Sequence, residues 1–230
     1  MLRVAELIAR RLRTTALRAD VSDIDGWWEA ISPRVQQEIL TGASALARLA
    51  RSYLAQHAQL EGVRLAPVAV EPDPAQIATS LLVTGPVAFK TNIRVSGSED
   101  AAVRAMASQL QGSATRLVLA GARDTTMATW RERGEMAGWR RVGGRSEPCP
   151  FCLMLIGRGA VYARETATFE AHDRCACTPE PLYRREPEPP EVRRLSEEWS
   201  RVTAGTSGAA SLRAWRAHID KQRGAATARA

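Results

Sequence analysis

A chain of 230 residues, 45% of them hydrophobic, can bury one sizeable core or two small ones. No apolar run approaches the ~20 residues that cross a bilayer, and no charged-then-apolar leader opens the chain, so neither a membrane span nor translocation is expected. The net charge of +7 comes almost wholly from arginine, Lys90 and Lys221 being the lysines; guanidinium forks suit phosphate, so the charge admits a polyanion such as DNA without calling for the reading of a base sequence.

Residues 2–19 set Leu2, Val4, Leu7, Ile8, Leu12 and Leu17 among arginines at near-helical spacing. This predicts a basic amphipathic helix that packs on its own protein or a partner rather than on a membrane. Ser22 or Asp23 caps a short helix carrying Trp27, Trp28 and Ile31. Pro33 opens a longer one reaching about Leu60, with Val35, Ile39, Leu46, Leu49, Tyr53 and Leu54 on its apolar face. His57, near its end, has no second ligand type beside it and reads as structural or surface. Glu61 to Asp73 reads as an extended connection, and Asp73-Pro74 starts a helix through Leu82. Gly85-Pro86 breaks the pattern, leaving Val87 to Val95 open between strand and short helix.

Ser96-Gly97-Ser98-Glu99-Asp100 is a turn and N-cap signal for the longest helix, Glu99 to about Arg133. Val103, Met106, Leu110, Leu117, Leu119, Met127 and Trp130 supply its apolar positions. Gly112 and Gly121, each costing about 1 kcal/mol against alanine in a helix interior, are expected to permit kinks or close helix contacts. Arg116, Arg123 and Arg131, with Arg140, Arg141 and Arg145 following, form the candidate nucleic-acid face. The competing reading is a solvated face pairing with Asp124, Glu132 and Glu135. Trp139 to Val142 reads as a strand feeding Gly143-Gly144.

Residues 148–179 hold all four cysteines and one of the three histidines, as C-x2-C, nineteen residues, then H-x2-C-x-C. Structural zinc takes four N or S ligands in a tetrahedron, usually from two close pairs. Cys149 and Cys152 form one pair, and His172 with Cys175 or Cys177 the other. Five donors compete for four places. One of Cys175 and Cys177 is expected to face the metal, and the tighter H-x2-C spacing favours Cys175. A Cys149–Cys152 redox pair leaves His172, Cys175 and Cys177 unexplained, and two disulfides suit a secreted protein. A catalytic zinc needs an open position and a base, for which Glu170 and Asp173 are the nearby carboxylates. A structural zinc is therefore expected, stapling a mini-core of Phe151, Leu153, Met154, Leu155, Ile156, Val161, Tyr162 and Phe169, since modules this small rarely fold on buried area alone.

The same stretch carries a resemblance. Cys-Pro-Phe-Cys at 149–152, the Gly157-Arg158-Gly159 turn before Val161-Tyr162, and His-Asp-Arg-Cys-Ala-Cys at 172–177 resemble the C-terminal signature of the phage Mu F-like minor head proteins, especially those of phages of actinobacteria. That family's closing motif commonly reads His-Pro-x-Cys-Arg-Cys, so Asp173 and Ala176 depart from it. The resemblance is specific over roughly residues 115–180. It implies a structural, non-catalytic protein of the virion and host cytoplasm, acting with portal or capsid proteins in head assembly or in handling packaged DNA.

After Cys177, Pro187, Pro189 and Pro190 mark a semi-rigid polyproline-like linker. Leu195 to Val202 reads as a short helix, and Ser211 to Arg223 as a last basic helix with Leu212, Trp215 and Ile219 on one stripe. His218 sits there as a surface residue, and the tail docks on a partner or stays mobile. The expected fold class is mainly α (α+β): a helical body at 1–136, a small β-rich zinc-binding module at 137–182, and a linker with a helical tail at 183–230. Two other functions compete. An HNH-like nuclease needs a further histidine base beyond the zinc, where only His57 and His218 remain. A sequence-reading zinc module needs base-contacting side chains on one exposed helix, which the sequence does not display. Neither a membrane nor a small-molecule substrate is expected as a partner.

Overall fold

The computed structural model describes residues 1–144, 147–162, 164 and 168–227. Its centre is the helix expected from Glu99. This helix, α5 (Glu99–Glu132), is capped by Ser98, whose side chain accepts from Ala101 N at 3.3 Å. Met106, Leu110, Leu117, Val118 and Leu119 are buried on it, and Ala102, Ala107, Ala114 and Ala122 fill the positions between. An apolar surface this wide marks a helix covered on several sides. The covering helices are α1 (Leu2–Ala16), α2 (Ile24–Leu60) and α4 (Ala88–Ser96), with α3 (Pro74–Leu82) at the edge.

Three local expectations change. Pro33 does not start a helix; it lies inside α2. Interior proline costs about 3 kcal/mol, but Ile24, Trp28, Val35 and Ile39 are all buried, at spacings that keep one stripe in phase across the proline, so packing on the core holds the helix together. Gly85-Pro86 is a kink rather than a stop. Gly85 leaves helical geometry at φ −95°, ψ −110°, and the chain resumes as α4, which settles Val87 to Val95 as helix. The face of α1 that packs is Ala5, Ile8, Ala9, Leu12 and Ala16, while Val4, Leu7 and Leu17 are exposed. On α2, Leu49 and Tyr53 are likewise exposed.

Strand β1 (Gly138–Val142) pairs antiparallel with β2 (Thr178–Leu182), Trp139 opposite Pro181 and Arg141 opposite Pro179. The stretch TPEPL, at the end of the expected module, is thus its second strand. Antiparallel pairing asks only alternate residues for a donor toward the partner, so two prolines two positions apart fit the sites whose backbone nitrogens point away from β1. Two strands are all the sheet among the described residues, and α6 (Pro150–Gly157) lies between them in sequence. The module is a helix and a hairpin-like pair rather than β-rich.

The tail is helical and folded back. Helix α7 starts at Pro190, five residues before the expected Leu195, because proline is suited to a first helical turn, and runs to Val202; α8 spans Gly208–Thr227. Trp215 and Ile219 are buried against Met154 and Leu155 of α6, and Trp215 Nε1 donates to Pro150 O at 2.7 Å. Neither a partner nor mobility is needed to account for this stripe. Trp215→Ala should remove roughly 3 kcal/mol or more of docking; limited trypsin digestion read by mass spectrometry should then cut early at Arg213 and Arg216, and unchanged protection would show that α8 is held otherwise.

Candidate metal centre

The cysteine pair is shaped by a helix start. Pro150 occupies the first turn of α6, leaving Cys149 as its N-cap, and Cys149 Sγ accepts from Cys152 N at 3.4 Å. One turn brings Cys152 beneath it. The second half of the cluster comes from a tight turn in which Cys175 N donates to His172 O at 3.0 Å. Arg174 takes φ +65° there, and its amide donates to Gly112 O of α5 at 3.0 Å. Gly112 permits this seating: a Cβ at that position would meet Arg174 Cγ at 3.0 Å and Asp173 Cβ at 3.2 Å.

The five sequence candidates converge. Cys149, Cys152 and His172 form one triad and Cys152, Cys175 and Cys177 a second, the donor atoms of each lying within 4.8 Å of one another. Cys152 is common to both. Its Sγ lies 3.6 Å from Cys175 Sγ and 3.4 Å from His172 Nε2, and Cys149 Sγ is 3.0 Å from the same nitrogen. Metal–sulfur bonds of ~2.3 Å in a tetrahedron give sulfur–sulfur edges of about 3.8 Å, so the donor spacing fits a metal ion, and the cluster can hold one. All four cysteines are free thiols, and 3.6 Å is far beyond a sulfur–sulfur bond of ~2.05 Å.

One expectation about these donors fails. The structure does not single out one of Cys175 and Cys177, since both sulfurs approach Cys152. Residues two apart in an extended backbone share a face, and Arg123 of α5 holds this stretch: Nη2 donates to Cys175 O at 2.7 Å and Nε to Cys177 O at 2.9 Å.

Protonation within the cluster is divided. Hydrogen bonding from Cys152 pulls the Cys149 thiol down to about 4, with His172 contributing. The Cys149 hydrogen bond in turn pushes His172 up to about 9. Cys175 is pulled well below the usual thiol range, first by its bond from Cys152 and also by the Arg123 charge. Cys152 keeps its proton, being pushed up by its bonds to Cys149 and Cys175. Thiolate is the ligating form, so Cys149 and Cys175 are ready for a metal, while Cys152 and Cys177, both pushed up, would each give up a proton on binding. His172 Nδ1 lies 2.6 Å from Asp173 O, an arrangement that leaves Nε2 facing the sulfurs.

The arginine face expected for nucleic acid is not a face. Arg123 and Arg141 are each 2% exposed, so neither meets a phosphate. Arg116 is paired with Asp173 at 2.8 Å. Arg140 pairs with Glu180, and with Glu186 at 3.4 Å. Arg131 is exposed, and Arg145 lies outside the described residues. The two buried arginines lie beside the Cys/His cluster instead, Arg123 on Cys175 O and Arg141 near Cys175 Sγ. Arg123 stands four residues after Leu119 and four before Met127, on the buried stripe of α5. Arg141 follows Trp139 by two on the inward face of β1. Both periodicities were in the sequence; the charge masked them. His57 lies between Tyr53 and Tyr183, ring centroids 5.4 and 5.2 Å away, and His218 is 2.7 Å from Glu198. Neither joins the cluster.

Fold and site together define a mainly α-helical protein whose C-terminal module is built around a Cys/His cluster able to bind metal. Residues 2–202 match the family described as VG15 protein, and the chain belongs to that phage-associated family of viral proteins. The match ends at the last residue of α7, so α8 lies beyond it. No curated protein and no solved structure shows a comparable match. No helix among the described residues is long and apolar enough to cross a membrane.

Proposed function

We propose that this protein is a Mu F-like minor head protein of a tailed phage or prophage, a non-catalytic part associated with the portal or the inner capsid surface. Family membership across residues 2–202 carries the reading, and the Cys/His signature at 149–177 narrows it to this class. The metal is a structural zinc: soft thiolate and imidazole donors select it, and the cluster joins α6 to the turn before β2. The two nearby carboxylates are engaged elsewhere. Glu170 receives Thr168 Oγ1 at 2.8 Å, and Asp173 is occupied by Arg116.

Handling of packaged DNA rests in this reading on the net charge of +7 rather than on a built arginine surface, so DNA binding is non-specific and falls steeply with salt. The protein works in the virion head after assembly in the host cytoplasm. The test is made in the phage that encodes it. Mass spectrometry of purified heads should find the chain, and a frameshift in its coding sequence should leave heads non-infectious. Absence from purified heads, or metal-dependent cleavage of plasmid DNA by the purified protein, would overturn the reading.

A further inference from the structure

Two guanidiniums are sealed inside the protein beside the Cys/His cluster, and neither has a carboxylate partner among the described residues. Arg123 spends its fork on backbone, bridging Cys175 O and Cys177 O, with Nη1 3.4 Å from Arg116 O. Arg141 sends Nη2 to Glu170 O at 2.6 Å and Nη1 to Cys175 Sγ at 3.9 Å; its buried Nε has no partner among the described residues. Phe169 lies against both, 3.8 Å from Arg141 and 5.3 Å from Arg123, measured from guanidinium carbon to ring centroid. Asp124, next to Arg123 in sequence, attracts it at longer range, but is exposed and forms no ion pair with it among the described residues.

Burying a charge without an opposite one is costly, and a polar atom left unpaired in the interior asks for an explanation. A divalent metal held by three thiolates and an imidazole carries a net charge of −1, and by four thiolates −2. Either is an anion seated against these two cations. The backbone carbonyls held by Arg123 belong to two of the donors themselves, so its fork also sets where their sulfurs lie.

We infer that Arg123 and Arg141 are positioning residues of the metal centre, offsetting the charge of a thiolate-rich metal complex and, through Arg123, tying occupancy of the module to its docking on α5. This rests on the metal reading above. The inference differs from a packing role in what it couples. Arg123 belongs to the body helix while every donor belongs to the module, so metal binding and docking favour each other reciprocally.

The experiment uses the full chain and zinc itself, with affinity read by competition against a chromophoric chelator and coordination read from the thiolate charge-transfer bands of the cobalt(II) form. Removing an outer partner of a metal ligand typically costs 10–100-fold in affinity. Arg141→Met and Arg123→Met should each weaken zinc binding about that much, with cobalt bands still reached at saturation. Arg141→Lys should recover most of the loss because it restores charge; Arg123→Lys should not, because an ammonium cannot bridge two carbonyls as a planar fork does. Arg104→Met, an exposed arginine on the same helix, should match wild type. Amide exchange should show 112–126 of α5 opening faster in metal-free wild type. If either methionine variant fails to fold, this exchange contrast in wild type still decides. Wild-type affinity in both methionine variants, or exchange in α5 indifferent to metal, overturns the inference while leaving the metal reading intact. A wild-type chain that binds no metal overturns both.

Discussion

Cys152→Ser should release the metal and unfold the module across 138–182 while α1 to α4 and most of α5 stay helical. Cys152 belongs to both donor triads, so neither triad survives its loss. Its sulfur is also packed with Ile156, Cys175, Cys177 and Val192 in a small cluster. That cluster is too slight to hold the module alone. Structural zinc in small domains supplies on the order of 10 kcal/mol of folding free energy, more than the stability of many whole domains. The body has its own core, with Ile39, Leu46, Met106, Leu110 and Leu117 each at most 2% exposed, and does not draw on the metal.

The two parts meet along α5 from Gly112, Arg116 and Arg123, which hold the 173–177 stretch, to Met127 and Trp130, which pack with Met136 and Trp139, so exchange should rise there and the C-terminal end should fray. Trp139 stacks on Tyr162 at 4.1 Å between centroids, which makes near-ultraviolet dichroism a direct reporter. The expected result is loss of metal and of the near-ultraviolet signal with most far-ultraviolet helicity kept. A Cys152→Ser protein with wild-type metal content and an intact tryptophan signal would remove Cys152 as a ligand.

The metal cluster was legible because its chemistry is written in residue type: four cysteines and a histidine between Cys149 and Cys177 leave few alternatives. The helices α3 and α5 were legible because Asp73 and Ser98 announce them and both side chains do cap, accepting from Ala75 and Ala101. What was not legible had a non-local cause. Pro33 reads locally as a helix start, yet burial on both sides of it decides for continuity. The prolines of 178–182 give no strand signal until β1, far earlier in the chain, supplies a partner strand. Arg123 and Arg141 read as surface because arginine usually is, although each sits on the buried stripe of its own element. Helix faces differ from expectation where alanine, not leucine, carries the contact, as on α1 and α2, while the close helix contact expected at Gly121 is the crossing of α2 with α5.

That crossing gives the other large effect. Gly121→Ala should destabilise the protein by about 3 kcal/mol, the upper part of the usual range for overpacking. A Cβ built at Gly121 would lie 2.0 Å from Ala43 O and 2.7 Å from Ala43 C of α2. Both atoms are backbone, so relief requires the two helices to move apart, not a side chain to turn. On the other side of the same contact, Gly42 faces Ile8 and Val118 of α1 and α5, so separating α2 from α5 also opens the α1 contact. Helix propensity argues the opposite sign, since alanine is favoured over glycine by about 1 kcal/mol in a helix interior. The direction of the change therefore decides between them. Gly224→Ala in α8, where nothing lies within 4 Å of the added carbon, isolates the propensity gain and should be neutral to slightly stabilising. Gly112→Ala meets mainly the flexible Arg174 side chain at 3.0 Å and should fall between the two. Chemical denaturation of the three variants gives the ranking. A Gly121→Ala protein at or above wild-type stability would mean that α2 and α5 do not cross in backbone contact at Ala43.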